Sequence, residues 1–173
     1  VNSICIVGGG SAGWMTAAAL AKTLPDIKLS LVESSVIGTI GVGESTLGHI
    51  NHFMDMLGIK DTDWMAKCNA TYKTSIKFTD FSNKGEHFHY PFGNPELLTD
   101  LKIAMWHDWA VHNPEVKPQE FAEYLHPSVA MTDQNKLTQN LDGALLDFDF
   151  KYDTAYHMDA GLFAEYLKDT FCD

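Results

Sequence analysis

The 173-residue sequence is 45% hydrophobic and 20% charged, the mix of an ordinary globular chain. Its 12 Lys+Arg against 23 Asp+Glu leave a formal net charge of −11, which repels phosphate backbones and anionic headgroups and so speaks against nucleic-acid and membrane-surface binding. Three cysteines, Cys5, Cys68 and Cys172, with no C-x-x-C pair, speak against a disulfide framework or zinc ribbon and for free thiols in a reducing, cytoplasmic setting.

Residues 4–7 are a short apolar run of the kind that makes a fully buried parallel strand. A glycine-rich segment follows, and residues 14–24, rich in Ala and Leu, are good helix material that Pro25 terminates. The apolar stretch 14–21 is too short to span a bilayer and lacks the cationic lead of a signal peptide. Residues 28–32 predict a second strand, closed by Glu33. After the glycine-punctuated loop 39–45, Ser45 or Thr46 is positioned to cap a helix carrying Leu47, Ile50, Phe53 and Leu57, with Gly58 as its stop. Asp61 or Thr62 caps a short helix through Trp64 and Met65.

Residues 71–81 alternate. Tyr72, Thr74, Ile76 and Phe78 fall on one face; Thr71, Lys73, Ser75 and Lys77 fall on the other, a wet or functional side. Asn83, Lys84 and Gly85 make a turn into a second aromatic strand over 87–92, predicting a hairpin. Helices are expected over 101–111 and 118–125, polar turns with one apolar patch over 128–148, and a strand over 151–156. A last helix over 159–171 turns Leu162, Phe163, Tyr166 and Leu167 inward. The start at Val1, close before a strand, and the last helix without a glycine stop read as an N-terminal piece of a longer chain.

The segment Gly8, Gly9, Gly10, Ser11, Ala12, Gly13 contains G-x-G-x-x-G between a strand and a helix, and Glu33 stands twenty residues beyond Gly13. Gly8 permits the tight turn, Gly10 lets a pyrophosphate approach the backbone, and Gly13 lets helix and strand pack closely. The helix N-terminus offers N–H groups and a positive dipole end to phosphates, and Glu33 is placed to accept from a ribose hydroxyl. Such an acid suits FAD or NAD and disfavours NADP; the unit's position at the start of the chain favours FAD by fold-level association.

Other constellations carry less. Lysines such as Lys73 and Lys77 are ordinarily solvated. His87 and His89, or His49 and His52, have metal-compatible spacing but no third ligand beyond Glu86, so no metal site is expected.

Together the segments resemble the flavin-dependent tryptophan halogenases. Residues 4–15, with Trp14 directly after the last glycine, look like the opening of that family, and Gly41, Val42, Gly43, Glu44, Ser45 and Thr46 look like its second glycine loop. Residues 57–59, Trp64 and Met65, residues 69–78, His87 and Phe88, Phe92 and Gly93, and residues 156–160 follow in the family's order. The loop followed by the Tyr72–Lys73 pair is the specific part.

The resemblance implies an α/β, FAD-binding Rossmann-like domain of the flavin monooxygenase/aromatic-hydroxylase type, with an inserted β-hairpin substrate-side region. Residues 1–173 would be the N-terminal portion of that single domain. It implies a reaction in which reduced FAD, delivered by a separate flavin reductase, O2 and chloride or bromide yield hypohalous acid. That oxidant passes through a tunnel to a small aromatic substrate: tryptophan, an indole or a similar aromatic.

Lys73, and not Lys77, matches the family's essential lysine. A desolvated amine there can donate hydrogen bonds to hypohalous oxygen or be N-halogenated. The cofactor contacts implied are Gly8, Gly9, Gly10, Ser11, Ala12 and Gly13 in the first loop, Glu33 at the end of the second strand, and Ile40, Val42, Gly43 and Ser45 in the second loop. Phe92 matches one wall of the family's indole sandwich, whereas Tyr90 stands where enzymes taking free tryptophan carry histidine. This points toward another indole, a pyrrole, a phenol or a peptide-bound residue. The rival readings are an FAD-dependent aromatic monooxygenase and a flavin-binding fragment without catalysis.

Overall fold

The computed structural model describes residues 1–38, 43–92, 100–115, 117, 122, 126–137 and 149–172. They fall into two compact units: Val1–Tyr72 with Ala155–Asp173, and Lys73–Thr154.

In the first unit, β1 (Ser3–Val7) pairs in parallel with β2 (Lys28–Val32), Ser3 opposite Lys28 and Val7 opposite Val32. Helix α1 (Ser11–Thr23) makes the crossover. The strands are not buried on both faces as the apolar run predicts. Exposed and half-buried residues alternate along both strands, and Val7 is largely exposed, because among the described residues only one face of the pair is covered. Trp14, Ala17 and Ala18 form the buried stripe of α1. The two alanines let it pack closely against the last helix, α6 (Ala160–Phe171).

Glu44–Ser45 is not a helix start but a short strand, β3, antiparallel to β7 (Ala155–Met158), in a sheet ordered β3-β7-β4 with β4 at Thr71–Lys73. Thr46 is used in that ladder: its N–H donates to Tyr156 O (2.9 Å), and its Oγ1 accepts from Tyr156 N (2.9 Å). Helix α2 (Ile50–Leu57) therefore begins later than predicted, behind His49. It ends as expected at Gly58, whose φ of 77° closes a left-handed cap that few other residues adopt. Lys60, rather than Asp61 or Thr62, precedes α3 (Asp61–Trp64). Strand β7 begins at Ala155 where the sequence predicts a start near 151; Lys151 and Tyr152 lie in a turn instead, their N–H groups donating to Asp149.

The core of this unit centres on Trp64, with Tyr156 edge-on at 4.9 Å and Phe163 at 5.4 Å between ring centres, and with Leu57, Met54 and Leu167 around them. Asp159 caps α6, accepting from Leu162 N at 2.9 Å. Phe163, Tyr166 and Leu167 point inward as predicted.

In the second unit, β5 (Ser75–Thr79) and β6 (His87–Pro91) form the expected antiparallel hairpin, with the Phe78 and Phe88 rings stacked at 4.9 Å. Helix α4 (Asp100–His112) also agrees with the sequence. Residues 128–133, expected within a stretch of polar turns, belong to helix α5 (Pro127–Asp133), which proline at its first position favours. Most of the predicted 118–125 helix, and all of 138–148, lie outside the described residues.

Candidate active site

The glycine segment shapes an open cleft of about 980 Å³ in the first unit, lined by Gly8, Gly9, Gly10, Ser11, Ala12, Glu33 and Glu44 among others. Gly8 has a φ of 121°, a conformation closed to other residues, and its N–H donates to Val32 O at 2.9 Å. A Cβ on Gly13 would stand 1.9 Å from Gly8 O, so only glycine lets α1 start this close to β1. Gly10, by contrast, meets nothing within 4 Å. The fold thus requires glycine at 13, whereas a side chain at 10 would meet open space. Ser11 and Ala12 open α1 at the cleft, where the first helical N–H groups have no partner within the helix.

Glu33 closes β2 beside Gly9, where an added Cβ would meet its carboxylate at 1.9 Å. The carboxylate accepts from the Trp14 indole N–H (3.3 Å) and from Lys168 Nζ (3.2 Å). Gly43 and Ser45 lead into and form β3, with Ser45 opposite His157. Ile40 and Val42 lie outside the described residues.

The strand predicted over 71–81 is interrupted at Thr74, and this changes which residues act together. Thr74 Oγ1 is hydrogen-bonded to Thr132 Oγ1 on α5. On the same helix, Asp133 receives Lys77 Nζ at 2.9 Å and lies 3.2 Å from His89 Nε2, while His89 Nδ1 lies 3.0 Å from Ser75 Oγ. Thr74, Ser75 and Lys77 thus all engage α5 directly or through His89. Lys73 Nζ sits 5.3 Å from the centre of the Phe92 ring. The alternation that grouped Lys73 with Lys77 is broken where the strand is broken.

The two lysines consequently differ in solvation. Lys73 is 8% exposed and burial holds its ammonium below the ordinary lysine range, whereas the Lys77 side chain is 42% exposed in its pair with Asp133. The Lys77 hydrogen bond, followed by the charge of His89, keeps the Asp133 carboxyl low against the opposing effect of burial. Phe92 is 8% exposed and Tyr90 is 61% exposed, so the two residues expected at an aromatic substrate present very different surfaces.

Three side-chain networks escaped the sequence reading. His89 is held by Ser75 and Asp133, partners more than ten residues away. Tyr156, deep in the first unit, lies 2.7 Å from Asp61 Oδ1 and 3.0 Å from Asn51 Oδ1, and its one proton goes to the nearer, charged acceptor. Tyr72 donates to the other Asp61 oxygen at 2.8 Å. Burial, then Asp61, drive the Tyr156 phenol well above the ordinary range, so it remains a donor. Burial likewise pushes the Cys68 thiol up to about 11, leaving it inert. For the third network, Lys168 with Trp14 and Glu33, the only sequence signal was tryptophan directly after Gly13.

Among the described residues no His, Cys, Asp and Glu group is arranged to hold a metal, and no helix is long and apolar enough to cross a membrane.

The sequence profile of the tryptophan halogenases matches residues 3–171. The tryptophan 6-halogenase SttH of Streptomyces toxytricini is 33% identical over 96% of this chain, which covers 35% of that protein; its crystal structure superposes with a TM-score of 0.77. The apo structure of VirX1 is 47% identical with a TM-score of 0.88, over 99% of this chain and 34% of its own. Tar14, a tryptophan C-6 flavin-dependent halogenase (chlorinase) from taromycin biosynthesis, is 34% identical with a TM-score of 0.78, over 98% of this chain and 34% of its own. The chain thus spans about a third of the length of the relatives it matches. These neighbours share the α/β, flavin-binding Rossmann-like architecture.

Proposed function

The chain belongs to the tryptophan halogenase family, and from that premise we propose that it serves a cytoplasmic, FADH2-dependent halogenase. The enzyme would use O2 and chloride or bromide, with FADH2 supplied by a separate flavin reductase, and act on a small aromatic. Residues 1–173 are the N-terminal portion of one FAD-binding domain in this reading. The observation that carries it is Lys73, a family-matched lysine with 8% exposure and its ammonium beside the Phe92 ring.

The cleft fits a dinucleotide. Gly8 and Gly13 shape a turn that no side chain could occupy, Gly10 leaves open space, and the start of α1 presents N–H groups suited to a pyrophosphate. Gly8, Gly9, Gly10, Ser11, Ala12 and Gly13 would hold the phosphates and Glu33 the ribose. Ile40, Val42, Gly43 and Ser45 would lie along the flavin. When bound, the reduced flavin would give two electrons to O2 and the halide the other two, so that one oxygen leaves as water and the other as hypohalous acid.

Lys73 then acts on that product. As an ammonium it donates to the hypohalous oxygen; as a neutral amine, which its desolvation makes more accessible, it takes the halogen as a haloamine. Either way an electron-rich aromatic carbon gains halogen and loses its proton, and the oxygen leaves as water. Phe92 forms an aromatic wall for that substrate, and the exposed Tyr90 phenol stacks and hydrogen-bonds where free-tryptophan enzymes carry histidine. This supports an indole, pyrrole, phenol or peptide-bound aromatic.

The test is product mass. Protein supplied with FAD, a flavin reductase, NADH, bromide and an indole should release a monobrominated indole, with production lost in Lys73→Ala. Hydroxylated product alone, unaffected by Lys73→Ala, would establish a monooxygenase instead. Flavin binding with no product from any aromatic would leave a binding fragment.

A further inference from the structure

A ribose-binding carboxylate is useful only if it is held still, and Glu33 is held by two residues outside the glycine loop. Trp14 Nε1 donates to Oε2 at 3.3 Å, and Lys168 Nζ, from α6, reaches Oε1 at 3.2 Å. The same ammonium lies 5.3 Å from the centre of the Trp14 ring, so cation, indole and carboxylate brace one another. Gly9 has no side chain where Glu33 crosses it. Each carboxylate oxygen uses one acceptor site on its brace and keeps another for a ligand.

Charge supplies a second argument. The cleft is lined by Glu33 and Glu44 in a chain of net charge −11, and an anionic dinucleotide must enter it. The Lys168 ammonium offsets Glu33 where the repulsion would otherwise be greatest.

We propose that Trp14 and Lys168 are positioning residues for Glu33, fixing its carboxylate to read the ribose diol of an adenine dinucleotide and setting affinity for it. This rests on the flavin reading above.

The experiment is FAD binding, followed by quenching of flavin fluorescence, in the unsubstituted protein, Lys168→Met, Trp14→Phe, Glu33→Gln and the double variants with Glu33→Gln. Lys168→Met and Trp14→Phe should each weaken FAD about fivefold. Neither should weaken it further once Glu33 is Gln, because their action runs through that carboxylate. Equal losses with and without Glu33 would mean that Trp14 and Lys168 act only by packing, and unchanged affinity in the single variants would mean they do not act; either overturns the inference. Trp14 is core, so Trp14→Phe can lose stability for other reasons; the half-exposed Lys168 carries the test alone. Absence of FAD binding by the unsubstituted protein removes the flavin reading itself and the inference with it. Intact wild-type binding with ineffective variants removes only the inference.

Discussion

The two units present chemistry in opposite ways. In the first, the cleft is shaped by absence: Gly8 and Gly13 allow its turn because they lack side chains, and Ser11 and Ala12 open α1 at its edge. In the second, the chemistry lies in where side chains end up: Lys73 against Phe92, and Lys77 in a solvated cluster with Asp133 and His89. Backbone shape follows from local sequence, because a φ of 121°, as at Gly8, favours glycine strongly and a 1.9 Å approach to backbone, as at Gly13, requires it. Side-chain surroundings do not, because they depend on partners as distant as residues 77 and 133.

The sharpest way to break this comparison is to exchange the lysines' roles. Lys73→Ala should reduce halogenated product about a thousandfold, roughly 4 kcal/mol of lost transition-state stabilisation, whereas Lys77→Ala should leave turnover within about twofold. Equal losses would mean that burial does not distinguish them. In the first unit, Gly13→Ala should cost about 3 kcal/mol, read as a lower urea midpoint, because its Cβ meets backbone that cannot move aside. Gly10→Ala should leave stability within about 0.5 kcal/mol, yet weaken FAD binding about tenfold or more; a Gly10 variant binding normally would show that the ligand does not approach there.

Smaller effects sharpen the picture. Tyr156→Phe should cost about 1–3 kcal/mol in urea unfolding, since it takes from the half-buried Asp61 carboxylate one of its two phenol donors. The smallest effect concerns Asp133, whose carboxyl is held below its ordinary range chiefly by Lys77. Its contribution to stability is present above the ordinary carboxylate pKa and lost as pH falls through the lowered value. Asp133→Asn should therefore show a shallower loss of stability than the wild-type protein as pH falls below about 4.

Much of the fold is legible in the sequence. The β1–α1–β2 unit, the turn at Gly58, the hairpin at residues 83–85 and the inward face of α6 follow from glycine, proline and apolar periodicity, which act over a few residues. The misreadings share a cause. Thr46 suits a helix cap, but its hydroxyl and amide were taken by Tyr156, 110 residues away. Perfect alternation over 71–81 reads as one strand, but α5 engages both Thr74 and, through Asp133, Lys77, and the strand is interrupted at Thr74. Strand β1 reads as doubly buried, but among the described residues only one of its faces is covered, since apolarity records a capacity for burial and not what covers it.

The order of glycines, the acid twenty residues on and the family-like segments were in the sequence alone, since each rests on residue identity and spacing. Which of two lysines is desolvated, and what braces Glu33, was decided only by tertiary structure. Solvation and hydrogen bonding depend on what long-range packing brings alongside a side chain, and neither Phe92 beside Lys73 nor Lys168 beside Glu33 leaves a local pattern.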